Sequence, residues 1–311
     1  MLSVKHLIDT YSLTADDITQ ILDTAASFES VNNRAIKKVP ALRGRTIVNL
    51  FLEPSTRTKS SFELAEKRLS ADSLSMGGST SSVVKGESLA DTIQTISAMN
   101  VDMFVCRAKL AGTPQRITEN TDAVVINAGD GKHQHPTQAM LDLYTIRKNF
   151  GHLDGLKVAI VGDLAHSRVC GSLAPALKTM DAEVTLVGPP TFQVDDPDWF
   201  GCPQTASLDD VIEDMDVVYM LRVQLERMEG AAIPSRREYN RLYGLDMTRV
   251  NRMKPGAIIC HPGPMNRGME INADVADCAR SRILNQVNAG VLTRMAEMYL
   301  LLGGENNGLS A

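Results

Sequence analysis

Short apolar runs rich in β-branched residues alternate with longer helical stretches along most of this chain, and this alternation limits the possible fold more than any other feature. Strand-like runs are predicted at 46–52, 101–106, 123–127, 157–161, 183–187, 216–220 and 257–260. Helical spacing of apolar residues is found at 15–28, 56–69, 88–99, 137–148 and 286–302. Because strands that alternate with helices usually pair in parallel, we expect an α/β fold of two doubly wound parallel-sheet domains.

The alternation restarts after Gly151 and Gly155, which indicates a joint between two units. We place the boundary within or just after the predicted helix 137–148. Residues 1–136 are then one domain, completed by a C-terminal helix at 286–303, and residues 137–285 are the other.

Composition excludes several classes of function. Lys and Arg number 32 against 37 Asp and Glu, and this net charge of -5 argues against a nucleic-acid or anionic-membrane partner. No apolar run approaches the ~20 residues of a membrane span, and the first residues lack an export signal. The 5 cysteines are scattered, which argues against disulfides or a cysteine zinc site. We expect a reduced, cytoplasmic protein.

Cationic side chains follow the predicted strands. In doubly wound sheets ligands bind beyond the carboxyl ends of the strands, so the residues that follow each strand are candidates for a ligand site. Four arginines and two histidines occupy such positions: Arg57, Arg107, Arg168, Arg222, His135 and His261. One such arginine alone is typical of an ordinary surface, but their coincidence at strand ends predicts a site rich in cations and poor in acceptors.

The segment Ser55-Thr56-Arg57-Thr58 follows the first strand and begins a helix. Backbone N–H groups and hydroxyls at such a helix start can hold an anion, and the planar guanidinium of Arg57 matches phosphate oxygens. The alternative is an ordinary helix cap with an exposed arginine, yet three hydroxyls exceed what capping requires. The pattern Gly-x4-Gly-Lys-Ser/Thr is absent, which argues against a nucleoside triphosphate.

A second helix start is predicted at His135-Pro136-Thr137-Gln138, since proline suits the first turn. There the imidazole of His135 can donate to a carbonyl oxygen and Gln138 can bind an amide. A metal site with Asp130 and His133 is the alternative, but no further ligand has recognisable spacing, so we expect no metal.

The second half of the chain offers groups for carboxylates and an amine. Residues 162–168 resemble a dinucleotide-binding turn but lack its second and third glycines, so Arg168 indicates a substrate carboxylate instead. Arg222 and Gln224 form a second candidate carboxylate clamp. His261-Pro262-Gly263-Pro264 is either a tight loop or a turn whose carbonyls accept from an NH₂ group. No serine or cysteine has an evident base, which favours catalysis by orientation and charge stabilisation.

Taken together, the ordered motifs of this chain resemble those of the transcarbamylase family. They are Ser55–Thr58, Lys85-Gly-Glu87, His135–Gln138, Arg222-Val-Gln-x-Glu-Arg227 and His261-Pro-Gly-Pro-Met-Asn-Arg267. The last two resemble the aspartate branch of the family, whereas the ornithine branch typically carries His-Cys-Leu-Pro.

The resemblance implies transfer of the carbamoyl group from carbamoyl phosphate to the amine of L-aspartate in de novo pyrimidine biosynthesis. The products are N-carbamoyl-L-aspartate and phosphate, and no cofactor is required. Domain 1–136 would bind carbamoyl phosphate and domain 137–285 aspartate, with the active site at the strand ends between them. The family resemblance also implies a homotrimer with shared active sites.

It also implies a role for each matching residue. The residues implied to bind the phosphate group are Ser55, Thr56, Arg57, Thr58 and Arg107. His135 and Thr58 would polarise the carbonyl, while Gln138 and the carbonyls of Gly263 and Pro264 would hold the amino group. Arg168, Arg222 and Gln224 would bind the aspartate carboxylates. Lys85 with Ser81 or Ser82 would reach into the neighbouring subunit's site.

Three alternatives remain at this point. A transcarbamylase for another amino-acid acceptor is the nearest, but a cationic acceptor would require acidic residues at Arg168 and Arg222. A catalytically silent homologue acting as a scaffold would have no need for the full set of ligands. The missing glycines count against a dehydrogenase.

Overall fold

The computed structural model describes residues 2–77, 87–196, 201–224 and 235–303. Packing divides the chain into two compact units, Met1–Tyr144 with Asn288–Ala311 and Thr145–Val287. Each unit contains one parallel sheet with associated helices, which confirms the predicted α/β fold of two parallel-sheet domains. The division into substrate-binding domains at 1–136 and 137–285 stays a prediction, because packing alone assigns no substrate to a unit.

The sheet of the first unit has four parallel strands in the order β2-β1-β3-β4. They are β1 (Thr46–Phe51), β2 (Asp72–Gly77), β3 (Met103–Ala108) and β4 (Val124–Asp130). The chain places β2 on one side of β1 and β3 on the other. The strand order therefore reverses between β1 and β3, and such a reversal opens a crevice at the carboxyl ends of the two strands.

The sheet of the second unit has five parallel strands in the order β7-β6-β5-β8-β9. They are β5 (Lys157–Val161), β6 (Glu183–Val187), β7 (Gln204–Thr205), β8 (Val217–Met220) and β9 (Ile258–Cys260). Here the strand order reverses between β5 and β8, so the carboxyl ends of these two strands offer the corresponding crevice.

Helices connect most of these strands. Within the described residues they are α1 (Ala15–Ser27), α2 (Glu29–Asn32), α3 (Thr56–Leu69), α4 (Leu89–Ser97), α5 (Thr113–Thr118), α6 (Pro136–Phe150), α7 (Arg168–Thr179), α8 (Arg236–Tyr243), α9 (Met247–Arg252), α10 (Ala273–Ala276) and α11 (Ile283–Leu301). Over that same part of the chain, none is both long and apolar enough to span a bilayer.

The predicted strands 157–161 and 183–187 and the predicted helix 56–69 are confirmed at both ends. The strand predicted at 101–106 lies at Met103–Ala108, and the last helix begins three residues earlier than predicted, at Ile283. β2 was missed because its residues are mostly exposed or half-buried at the edge of the sheet. An edge strand with so little apolar burial carries little of the hydrophobic signal that sequence patterns detect.

Helix α11 buries an acid and a base inside the first unit. Glu297 is 0% exposed and Arg294 is 4% exposed. The Nη1 atom of Arg294 donates to the carbonyl oxygen of Gly290 at 3.0 Å, and its guanidinium carbon lies 4.9 Å from the ring centroid of Phe62. Neither carboxylate oxygen of Glu297 accepts a hydrogen bond from the described residues. Burial therefore raises the pKa of Glu297 to about 8, although Arg294 partly offsets the rise.

We expect Glu297→Gln to stabilise the protein increasingly as the pH rises. The pKa of Glu297 in the folded state lies above its ordinary value of 4.5, so the folded chain retains a proton that the unfolded chain releases. The wild type therefore loses stability as the pH rises from 4.5 to about 8, whereas glutamine does not ionise. The free energy of unfolding of Glu297→Gln relative to the wild type should increase by on the order of 1 kcal/mol per pH unit across this window.

Urea unfolding of both proteins at about pH 5 and about pH 8 measures this difference. Glu183→Gln is the matched control, since Glu183 is exposed and its substitution should give the same small effect at both pH values. A stability difference for Glu297→Gln that did not change with pH would contradict the assignment.

Candidate active site

The anion site predicted at residues 55–58 lies where β1 leads into α3. Ser55 is the N-cap residue of α3, with an extended backbone at φ -160 and ψ 94, and its side chain makes no capping hydrogen bond. Capping therefore does not account for the hydroxyl of Ser55. The first N–H groups of a helix have no partner within the helix, so the start of α3 is suited to an anion.

Arg107 and Thr58 come together at the reversal between β1 and β3. Arg107 lies near the end of β3, where it is aligned with Phe51 of β1. Its Nη1 atom is 3.4 Å from the hydroxyl oxygen of Thr58 and 3.3 Å from the carbonyl oxygen of Ala128. Two of the predicted phosphate ligands, which lie 49 residues apart in the sequence, are thus in contact.

A carboxylate that sequence reasoning missed lies at the same place. The Nε atom of Arg107 is 3.3 Å from Oε2 of Glu53, and both side chains are largely buried. Glu53 is the first charged residue after β1, and this position at a strand end was the only feature of the sequence that could have marked it as part of the site. It holds the Arg107 guanidinium close to the start of α3.

The loop between β4 and α6 is organised by the fully buried carboxylate of Asp130. Asp130 accepts from the backbone N–H groups of Gly112 at 2.7 Å and Gln134 at 3.1 Å, and from the side-chain amide of Asn127 at 2.8 Å. It is also 3.1 Å from Nδ1 of His133. These bonds fix the loop that leads to His135.

His135 and Gln138 lie at the start of α6, which begins at Pro136 as the motif predicts. Both side chains are buried. The Nδ1 atom of His135 is 3.4 Å from the hydroxyl of Thr137, and Nε2 of Gln138 donates to Oδ1 of Asp142 at 3.0 Å. Within the described ranges, no cluster of three or more His, Cys, Asp or Glu residues could hold a metal ion.

In the second unit, Arg168 and Arg222 follow the two strands between which the order reverses. Arg168 is the first residue of α7 and is buried, and Ser167 caps this helix by accepting from the N–H of Cys170 at 3.2 Å. Arg222 and Gln224 follow β8 and are half-buried. Gly162 has φ +135, and a Cβ there would lie 3.1 Å from Cβ of Leu221, so the close approach of the two strand exits requires glycine.

The turn at residues 261–264 is held by a buried histidine–glutamate pair. The Nδ1 atom of His261 accepts from the N–H of Gly263 at 2.7 Å, so its Nε2 carries the proton and donates to Oε1 of Glu270 at 3.1 Å. The backbone N–H of His261 donates to Oε1 of Gln286 at 2.9 Å. Sequence reasoning missed Glu270, whose signal is a single acid between Met269 and Ile271.

Some predicted residues lie outside the described part of the chain. They are Ser81, Ser82 and Lys85, together with residues 225–227 of the motif that begins at Arg222. Two cysteines that are described, Cys106 and Cys170, are buried, and burial raises the pKa of both thiols far above the ordinary value. These two thiols are therefore poorly suited to act as nucleophiles.

The chain is thus an α/β protein with arginines at the reversal point of each of two parallel sheets, which is where such proteins bind ligands and where a cationic group suits an anion. Family models divide this chain in the same way. Residues 5–148 match the carbamoyl-P binding domain of aspartate/ornithine carbamoyltransferase, and residues 154–301 match its Asp/Orn binding domain. The chain therefore belongs to the aspartate/ornithine carbamoyltransferase family.

Individual relatives agree with this membership. The aspartate carbamoyltransferase catalytic subunit of Thermobifida fusca is 54% identical over 301 residues, which cover 97% of this chain and 96% of the relative. The catalytic subunit of M. jannaschii aspartate transcarbamoylase matches with a TM-score of 0.84 and 37% identity, covering 96% of this chain and 98% of that one. The Trypanosoma cruzi aspartate transcarbamoylase in complex with carbamoyl phosphate and aspartate has a TM-score of 0.87 and 29% identity, covering 96% and 97%.

Proposed function

We propose that this protein is an aspartate carbamoyltransferase of de novo pyrimidine biosynthesis. It transfers the carbamoyl group of carbamoyl phosphate to the amine of L-aspartate, which gives N-carbamoyl-L-aspartate and phosphate. The contact between Arg107 and Thr58 at the start of α3 carries the proposal, because it joins one cationic ligand and one hydroxyl ligand at a helix N-terminus. The T. cruzi relative that binds both substrates supports it.

The first unit supplies the groups for carbamoyl phosphate. The start of α3 with Ser55 and Thr56, together with Arg57, Thr58 and Arg107, binds the phosphate. Bound phosphate competes with Glu53 for the Arg107 guanidinium. Negative charge grows on the phosphate as it leaves, so these donors stabilise the transition state more than the ground state.

The carbamoyl carbon is activated by hydrogen bonds to its carbonyl oxygen. His135 and Thr58 donate to the carbonyl oxygen, whose negative charge increases as the carbon becomes tetrahedral. Gln138 and the backbone carbonyls of Gly263 and Pro264 accept from the NH₂ group. The bonds from His261 to Gly263 and Glu270 hold these two carbonyls in a fixed turn.

Aspartate binds through its carboxylates to Arg168, Arg222 and Gln224 in the second unit. Its amine attacks the carbamoyl carbon, forming the new C–N bond, and the C–O bond to the phosphate breaks. The electron pair of the broken bond leaves with the phosphate, and the proton that the amine loses passes to an oxygen of that phosphate. The proposed step uses no protein nucleophile and, as the family resemblance implies, no metal or organic cofactor, so orientation and charge stabilisation perform the catalysis.

The proposal includes a homotrimer with shared active sites and a cytoplasmic location. The family resemblance supports the trimer, in which Lys85 with Ser81 or Ser82 of one subunit reaches the site of the next. The five free cysteines support a reducing compartment. The net charge of -5 supports small anionic substrates rather than nucleic acid or membrane as the partners.

We expect the purified protein to carbamoylate L-aspartate and to leave L-ornithine unmodified. Two arginine clamps suit a dicarboxylate, whereas the cationic side chain of ornithine would face like charge. A colorimetric assay of the ureido product with each acceptor measures this directly. Turnover with ornithine but not with aspartate would overturn the proposal.

Arg222→Ala supplies the matched variant for the acceptor. Loss of the Arg222 guanidinium should raise the KM for aspartate, because one substrate carboxylate then lacks its partner. The affinity for carbamoyl phosphate should stay close to that of the wild type. Calorimetry with carbamoyl phosphate and steady-state kinetics with aspartate separate the two effects. The reverse pattern would show that Arg222 does not serve the acceptor.

A further inference from the structure

Gln138 is paired with a carboxylate in the first two turns of α6. Its Nε2 atom donates to Oδ1 of Asp142 at 3.0 Å, and the two residues are one helical turn apart. Asp142 is 0% exposed and Gln138 is 8% exposed. The pair is therefore shielded from water, and its orientation depends on its protein neighbours.

The chemistry of this pair decides which end of the Gln138 amide is turned toward Asp142. An ionised carboxylate only accepts hydrogen bonds, so it must face the NH₂ group of the amide. The amide oxygen of Gln138 is then directed away from Asp142. A neutral partner could face either end, and the two orientations of the amide would be close in energy.

A buried cation favours the ionised form of Asp142. Arg294 of α11 is buried in the same unit and interacts electrostatically with Asp142. Its guanidinium is held by the carbonyl oxygen of Gly290 and lies over the ring of Phe62. The positive charge of Arg294 partly offsets the cost of burying a carboxylate at Asp142.

We propose that Asp142 is a positioning residue that fixes the Gln138 amide so that its oxygen accepts from the NH₂ group of carbamoyl phosphate. This inference rests on the proposed function, since it assigns Gln138 to that substrate. Asp142 itself does not touch the substrate. By fixing the Gln138 amide, Asp142 favours a ligand that has an NH₂ donor next to its phosphate group. Carbamoyl phosphate has this donor and inorganic phosphate does not.

The test compares two ligands in the wild type and in Asp142→Asn. The neutral amide of asparagine either donates or accepts, so it no longer imposes one orientation on Gln138. We expect the Kd of carbamoyl phosphate, measured by calorimetry, to rise about tenfold, which corresponds to one misdirected hydrogen bond. The Kd of inorganic phosphate should stay within about twofold of the wild type, because the phosphate ligands are intact.

A double-mutant cycle shows whether Asp142 acts through Gln138. Gln138→Ala should weaken carbamoyl phosphate selectively, and the double variant Gln138→Ala with Asp142→Asn should be no weaker than Gln138→Ala alone. Additive losses, or an equal loss of phosphate affinity, would reduce Asp142 to a general structural role and overturn the inference.

Asp102→Asn is the matched control. Asp102 accepts from Arg45 at 2.7 Å and from the N–H of Thr46 at 2.8 Å, before β3 and so at the opposite end of its strands from the anion site. It should leave both affinities unchanged. If the wild type bound carbamoyl phosphate and Asp142→Asn bound it equally well, only the inference would fail. If the wild type did not bind carbamoyl phosphate, the proposed function would fail with it.

Discussion

Replacing Arg57 by alanine should lower kcat by ~10²–10³, the loss typical of one preorganised donor to developing negative charge. Arg57 is the second residue of α3, two positions after the N-cap Ser55, where the helix start already favours an anion. Its guanidinium adds a bidentate match to the phosphate oxygens that no main-chain group replaces. Because the phosphate gains charge as it leaves, the loss should appear in kcat more than in the affinity for aspartate.

Steady-state kinetics with both substrates varied will separate these effects, and thermal unfolding will show that the variant is folded. Arg43→Ala removes an exposed arginine from the same unit and should retain full activity. An Arg57→Ala enzyme with turnover close to that of the wild type would remove Arg57 from the phosphate site.

The parts of this site that the sequence predicts best are those that depend on local structure. Ser55 and Pro136 are at helix starts in the structure, because strand-to-helix transitions and the residues that favour them lie within a few positions of each other. The rule that ligands bind at strand ends then selected Arg57, Arg107 and His135 without any knowledge of the strand order.

The parts that escaped prediction depend on contacts between distant segments. Three carboxylates contact predicted ligands or a predicted turn. Glu53 pairs with Arg107 and Asp142 accepts from Gln138, while Glu270 accepts from His261. A pattern along the chain does not show which acid will face which donor after folding. The sequence therefore predicted a site rich in cations and poor in acceptors, whereas in the structure carboxylates contact several of its donors.

This arrangement has a physical purpose that cations alone would not fulfil. Buried donors without acceptors would be costly and free to reorient. Asp142 and Glu270 therefore each accept from a buried donor and fix its direction, while Glu53 forms an ion pair with Arg107. Asp130 does the same for the backbone before His135 by accepting from Gly112 and Gln134. The positioning groups are thus a second set of residues, and among them substitution of Asp142 should alter ligand selectivity more than phosphate binding.

Mixing two inactive variants should restore activity if the active sites are shared between subunits. The family resemblance assigns Lys85 to the neighbouring subunit's site, while His135 belongs to the subunit that binds the phosphate. Lys85→Ala and His135→Ala homotrimers should each be nearly inactive. When their chains exchange at random in an equal mixture, about a quarter of the sites combine an intact His135 with an intact Lys85. The mixture should therefore recover about a quarter of the wild-type activity per site.

A second mixture provides the control. His135→Ala and Arg57→Ala remove two groups that the same subunit supplies, so every site in their mixed trimers keeps one lesion and the mixture should stay inactive. Native mass spectrometry of tagged chains shows that exchange has taken place. Mixed Lys85→Ala and His135→Ala trimers that remained as inactive as their parents would mean that each site is built within one chain, because only a site completed by a neighbour can combine the two intact residues.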